Sequence, residues 1–305
     1  MQDCATVPGF ASLLAEVERF WTPLPDKPEE SPAAVLSALW RTACGEPVSV
    51  QRAVGGRLPP LDAEAAARLR ELIERKRAGV PLAHLTGRQS FMGLELLAGP
   101  AALIPRRETE ILGRAALARI RCAAERYGTA WVIDVCTGSG NLALAYAHYE
   151  PRARVYASDL SPEALALAQR NAEHTGLAAR VELRLGDLLE PFEAPEFLGA
   201  CDFVSCNPPY ISTGKLKRLH PEIARFEPEA AFNGGVYGVS ILTRLVRQAP
   251  RFLRPGGWLG LEVGSGQGPA LARSLAANPD FSLVERFSDE AGEVRAILAR
   301  TKTRP

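Results

Sequence analysis

Asn207, Pro208, Pro209 and Tyr210 close an apolar run that begins at Cys201. Two consecutive prolines have no N–H to donate, so a strand has to stop there. The Asn207 side-chain oxygen and the Pro208 carbonyl are then two acceptors in a stiff frame, and Tyr210 adds an aromatic face. Two coplanar acceptors suit an NH2 group on an sp2 carbon. A plain strand-ending turn would also fit. The position favours the slot, because ligands of open α/β sheets sit beyond the carboxyl ends of the strands.

A second stretch, residues 134–145, reads as strand, glycine turn and helix around Gly138, Ser139 and Gly140. Glycines let the backbone approach a ligand, and the helix N-terminus favours negative charge. Asp159 follows at the end of the next strand, about 20 residues on, where an acid commonly holds ribose hydroxyls. Asp187 and Leu188 end a third strand and could meet an adenine ring. At this point a dinucleotide remains a possible ligand. Another glycine-rich turn, residues 262–268, reads as structural.

These residues need strands to carry them. Buried or alternating strands are predicted at 131–137, 154–159, 180–187, 202–207, 256–264, 281–287 and 294–300. Helices lie between several of them: Ser161 and Pro162 open one that Gly176 closes, and residues 239–252 place Ile241, Leu242, Leu245 and Val246 on one face. Strands alternating with helices imply a parallel, doubly wound, Rossmann-like α/β sheet of seven strands. Upstream, residues 33–43 and 61–81 read as helices. Asp62 caps the second, Leu69, Leu72 and Ile73 form its stripe, and Gly79 with Pro81 ends it. The expected organisation is a helical domain over residues 1–85, a β-hairpin linker over 86–105 and a catalytic domain over 106–305.

The 305 residues, 47% hydrophobic and 23% charged, provide for a full core. A net charge of +1 gives no global field pointing to nucleic acid or a membrane surface. The six cysteines form no CxxC pair and no Cys/His cluster with metal spacing, so no metal is expected. The N-terminal stretch lacks a basic region, and no apolar run nears the ~20 residues of a membrane span. A reduced, cytoplasmic setting is expected.

The Asn-Pro-Pro-Tyr run, with the glycine turn and Asp159, resembles class I S-adenosylmethionine-dependent methyltransferases that modify amino or amide nitrogens. Residues 81–96, 103–110 and 226–235 narrow this to a resemblance to the HemK-type protein-(glutamine) N5-methyltransferases, over residues 65–300 or so. The resemblance implies methylation of a glutamine side chain in the Gly-Gly-Gln loop of a peptide-chain release factor, with S-adenosylhomocysteine as product. A ribosomal-protein glutamine, a nucleic-acid base or a small amide or amine stays open as an alternative acceptor. It implies that Asn207, Pro208, Pro209 and Tyr210 hold the acceptor amide. It implies that Asp134, Cys136, Thr137, Gly138, Ser139, Gly140, Asp159, Leu160, Asp187, Leu188, Asn207 and Arg106 bind the cofactor, with Glu108 near Arg106. Glu227 and Pro228 would shape the substrate entrance, and the N-terminal domain would grip a protein substrate. The enzyme is expected to act as a monomer. Nucleic acid is not an expected partner, although Lys215, Lys217, Arg218 and Arg225 lie just downstream of Tyr210. The chain departs from the family pattern at Cys136, usually glycine, and at Arg107, Asn141 and Leu188.

Overall fold

The computed structural model describes residues 9–24, 26–210, 221–232 and 240–303. The chain divides into two compact units, Met1–Pro100 with His220–Glu227, and Ala101–Leu219 with Pro228–Pro305. This division differs from the three expected segments. The hairpin belongs to the first unit, and so does a segment far downstream.

The first unit is built on α1 (Phe10–Phe20), α2 (Pro32–Ala43), α3 (Val50–Ala53), α4 (Ala63–Arg77) and α5 (Leu82–Thr86). The Asp62 carboxylate caps α4, accepting from the Ala65 N–H at 2.7 Å. Leu69 and Ile73 turn inward against Leu36, Leu39 and Trp40 of α2, while Leu72 is only partly covered. The antiparallel hairpin β1 (Arg88–Phe91) and β2 (Leu94–Leu97) turns through Met92 and Gly93, both at positive φ, as a tight hairpin requires. A four-charge cluster explains why the downstream segment belongs here. Glu222, in the helix Pro221–Phe226, is paired with Lys27 and lies 3.3 Å from Lys76. Glu30 completes the cluster, 3.5 Å from Lys76. The four side chains are almost fully buried, and charges out of water persist only when matched.

The second unit holds a seven-stranded sheet in the order β5-β4-β3-β6-β7-β9-β8. Its strands are β3 (Ala130–Val135), β4 (Ala153–Asp159), β5 (Val181–Leu185), β6 (Cys201–Cys206), β7 (Leu253–Glu262), β8 (Phe281–Ser288) and β9 (Val294–Thr301). β3 to β7 run parallel, and β9 and β8 close one edge antiparallel. This is the expected seven-stranded, doubly wound fold. The chain steps outward from β3 to β4 and β5, then returns to place β6 on the other side of β3. That reversal opens a crevice at the carboxyl ends of β3 and β6.

Helix α6 (Thr109–Tyr127) escapes the sequence pattern. Its inward stripe is Leu112, Ala116, Ile120 and Ala124, half of it alanine, so the hydrophobic period is weak although every member is fully buried. The glycine turn leads into α7 (Asn141–Tyr149), and α8 (Pro162–His174) follows β4 with Ser161 as its cap. Among the described residues, no helix is long and apolar enough to cross a membrane.

Candidate active site

The crevice holds a cavity of about 370 Å³ within the second unit. Nearly half of its wall comes from the strand ends. After β3 come Cys136, Thr137, Gly138 and Ser139; after β4, Asp159, Leu160 and Ser161; after β5, Gly186, Asp187 and Leu188; after β6, Asn207 and Pro209. Arg106 and Asp134 also line it, as does Pro228. Gly140 does not; it caps α7 in the left-handed region at φ 81°, and a Cβ there would stand 3.2 Å from that of Ala168. Glu108 and Glu227 are outside the lining too, and Glu227 is buried in the first unit. Lys215, Lys217 and Arg218 lie outside the described residues, while Arg225 is exposed.

Hydrogen bonds explain why the glycine turn keeps its shape. The Asp159 carboxylate accepts from the Gly138 N–H at 2.8 Å and from the Ser161 N–H at 2.9 Å. Each oxygen keeps a further lone pair for a ligand hydroxyl. Asn171 donates to the Ser139 carbonyl at 3.0 Å. Asp134 sits deeper, 1% exposed, and accepts from the Ser205 and Thr137 hydroxyls, each at 2.6 Å. Burial raises its pKa to about 6, against those hydrogen bonds. Asp134 therefore ties β3 to β6 as well as bordering the cavity. Cys136 and Leu188 both hold positive φ, 55° and 52°, although neither is glycine. Leu188 is pinned by the Ser158 hydroxyl, which donates to its carbonyl at 2.7 Å.

Sequence reasoning missed several wall residues. Arg244 reaches back to Asp187 at 2.5 Å, and Ile241 lines the wall beside it. Leu142 and the segment before α6, including Ala102 and Leu103, supply further apolar surface. Nothing in the spacing of Asp187 and Arg244 signals their pairing.

The Asn207-Pro208-Pro209-Tyr210 run divides. Asn207 and Pro209 face the cavity, Pro208 is buried, and Tyr210 is partly exposed, packed against Gly264. The Asn207 Nδ2 donates to Thr109 Oγ1 at 3.1 Å. Among the described residues nothing donates to its side-chain oxygen, which is the acceptor end. Burial, then nearby Glu262, pushes the Tyr210 hydroxyl far above its usual value, so it stays a donor. In the sequence Glu262 is only part of a structural turn and nothing marks Thr109; both stand next to this run.

Among the described residues no cluster of three or more His, Cys, Asp or Glu could hold a metal ion. The wall fits a cationic, partly aromatic ligand instead. Asp134 and Asp159 supply negative charge, Asp187 being paired with Arg244, while Leu160, Leu188 and Ile241 supply apolar surface. Leu160 is 71% exposed, an apolar rim that a bound ring could cover.

Residues 132–226 match a family described as "Methyltransferase domain". The chain is 46% identical over 238 residues to the release factor glutamine methyltransferase of Moorella thermoacetica, covering 77% of this chain and 80% of that one. It is 42% identical over 241 residues to the protein of the same name from Xylella fastidiosa, covering 79% and 84%. Among solved structures it resembles the hMettl16 catalytic domain solved with an RNA hairpin, at a TM-score of 0.53. That likeness covers 75% of this chain and 82% of that one. At 15% identity it speaks for the fold alone.

Proposed function

The chain belongs to the release factor glutamine methyltransferase family, and from that premise we propose that it methylates the side-chain amide of a glutamine in a peptide-chain release factor. The methyl donor is S-adenosylmethionine, and the acceptor glutamine lies in a Gly-Gly-Gln loop. We place the enzyme in the cytoplasm, as a monomer. The observation that carries this reading is the Asn207 side chain, which faces the same cavity as the glycine turn with its Nδ2 already engaged.

An amide nitrogen is a poor nucleophile because its lone pair is delocalised into the carbonyl. Asn207 Oδ1 and the Pro208 carbonyl accept the two N–H bonds of the acceptor amide, which fixes its plane and moves electron density toward nitrogen. Pro209 and Tyr210 flank that plane. On the donor side, Cys136 to Ser139 wrap the amino-acid portion, Asp159 binds the ribose hydroxyls, and Asp187 and Leu188 border the adenine. Arg106 closes the wall beside them. S-adenosylmethionine supplies a sulfonium methyl, which the amide nitrogen takes while the C–S bond's electron pair stays on sulfur to give S-adenosylhomocysteine. Alkylation makes the remaining N–H acidic, so water suffices to take the proton.

The test is transfer of labelled methyl to a purified release factor, beside a factor whose loop glutamine is replaced by alanine. Label is expected in the first and absent from the second. In the same assay, Asn207→Ala should lose turnover by about 100-fold or more while calorimetry finds cofactor binding intact. Label in neither factor, with cofactor bound, would move the acceptor to another protein, a base or a small amide.

A further inference from the structure

The glycine-rich turn at 262–268 lies against the acceptor-binding run, and each contact there restrains one atom of that run. Gln267 Nε2 donates to the Tyr210 carbonyl at 3.0 Å, and its Oε1 accepts from the Gly264 N–H at 3.0 Å. A Cβ at Gly264 would stand 2.7 Å from the Tyr210 ring, so only glycine lets the ring lie there. Glu262, at the end of β7, hydrogen-bonds the side chains of both Tyr210 and Thr109. Glu262 and Thr109 are 2% and 1% exposed, so water does not compete for these bonds. Glu262 Oε2 has no hydrogen-bond partner among the described residues.

The polarity of this chain of bonds can be followed. A threonine hydroxyl has one proton and accepts through lone pairs. Thr109 Oγ1 accepts from Asn207 Nδ2, so its own proton is free to point at Glu262. The bonded oxygen of Glu262 offers only lone pairs, any proton of the acid sitting on the unpartnered Oε2, and so it holds the threonine proton there. With its proton so committed, the hydroxyl cannot donate to Asn207, and Asn207 must meet it with the NH2 end. The Asn207 oxygen is thereby turned toward the cavity. The alternative amide rotamer, half a turn about the last side-chain bond, has almost the same shape. It would set an NH2 against the NH2 of the acceptor, donor against donor.

We propose that Glu262 is a positioning residue for methyl transfer: through Thr109 it fixes which end of the Asn207 amide faces the acceptor, and through Tyr210 it fixes the neighbouring ring. This rests on the assignment of Asn207 as the acceptor-binding residue. The 262–268 turn thus has a part in catalysis beyond ending a strand, although Glu262 touches neither reacting atom.

A structural role and a positioning role make opposite demands on Glu262→Met. This variant fills the same space without a charge. Removing the buried carboxyl relieves its desolvation but leaves the Thr109 and Tyr210 hydroxyls without that acceptor, opposing effects of similar size, and loss of the Thr109 acceptor frees the Asn207 amide. The expected result is a melting temperature close to that of the parent, unchanged KM for S-adenosylmethionine, and kcat on the release factor lower by about tenfold or more. Thr109→Val should behave likewise. Glu262→Gln and Thr109→Ser, which keep an acceptor and a hydroxyl in place, should stay within about threefold of the parent.

A second readout needs no acceptor. The Asn207 side-chain NH2 pair in a nitrogen–proton spectrum is identified by its absence from Asn207→Asp. Its exchange with water should be slow in the parent and about tenfold faster or more in Glu262→Met and Thr109→Val. Parent-level kcat in Glu262→Met and Thr109→Val, or equal amide exchange in all variants, would overturn the proposal. A fall in kcat that only tracks a fall in melting temperature, without rescue by Thr109→Ser, would also overturn it. If the parent itself left the release factor unmethylated, the functional reading would fail, and the exchange measurement would still decide the role of Glu262.

Discussion

Cys136 adopts φ 55° at the first position of the glycine turn. An L-residue in this region brings its Cβ against the backbone, at a cost of roughly 1–2 kcal/mol. That cost explains why the resemblance led one to expect glycine here. Cys136 has a single γ atom and lines the cavity beside the buried core. Cys136→Val should destabilise the protein by about 2 kcal/mol, because a β-branched residue fits this region worst. Cys136→Gly should stay within about 1 kcal/mol, the relieved strain offsetting the extra freedom of the unfolded chain. Urea titration decides it, and a valine variant as stable as the parent would remove strain from the account. The same φ was invisible in the sequence. The run's residue types mark the turn, but which of them had to be left-handed depended on how β3 meets α7.

Elements are positioned by close approach, and α6 lies close enough to the sheet to forbid a side chain. A Cβ at Gly260 in β7 would meet Phe203 of β6 at 2.6 Å and Leu112 of α6 at 3.0 Å. Gly260→Val should therefore cost about 3 kcal/mol by overpacking, read as a lowered urea midpoint with an unchanged slope. It should also reduce methyl transfer, since α6 begins at Thr109, the partner of Asn207. A Gly260→Val variant with parental stability and turnover would show that the helix can move off the sheet freely. The central strands β3 and β6 were legible because their runs are nearly continuous and buried, as parallel strands require, and β5 and β8 because polar and apolar residues alternate. Helix α6 was not, because alanines carry half of its inward stripe. Predicted ends of the strands agree to within about three residues, which is as far as local patterns specify them.

At the scale of the molecule, two buried carboxyls set how stability responds to pH. Burial raises Glu262 from its ordinary 4.5 to about 7 and Asp134 from 3.8 to about 6. Around Glu262, hydrogen bonds from Thr109 and Tyr210 and the Arg295 charge act against this, while Glu108 adds to it. A raised carboxyl binds its proton more tightly in the folded chain than in the unfolded one. Its contribution is fully present below the unfolded pKa and is lost as the pH rises through the folded one. The Glu262 contribution, ~3 kcal/mol, should thus disappear between about pH 4.5 and pH 7. Measured across that window, Glu262→Gln should show a shallower fall in unfolding free energy than the parent. Identical slopes would mean that Glu262 titrates normally.

The sequence by itself determined what neighbouring residues can say to one another. It specified the seven strands, the glycine turn, the acid that ends β4, and the Asn-Pro-Pro-Tyr stop, since each rests on local periodicity or on the chemistry of a few adjacent residues. Tertiary structure decided which partners complete them. Asn207 meets Thr109 across 98 residues, Asp187 meets Arg244 across 57, and Lys27 meets Glu222 across 195. The last pairing assigns a downstream helix to the first unit. Hydrogen bonds and ion pairs at such separations leave no spacing to read, because the chain between the partners can be any length that the fold brings back. The orientation of one amide, on which the chemistry rests, is therefore a property of the folded core and cannot be found in the four residues that announce it.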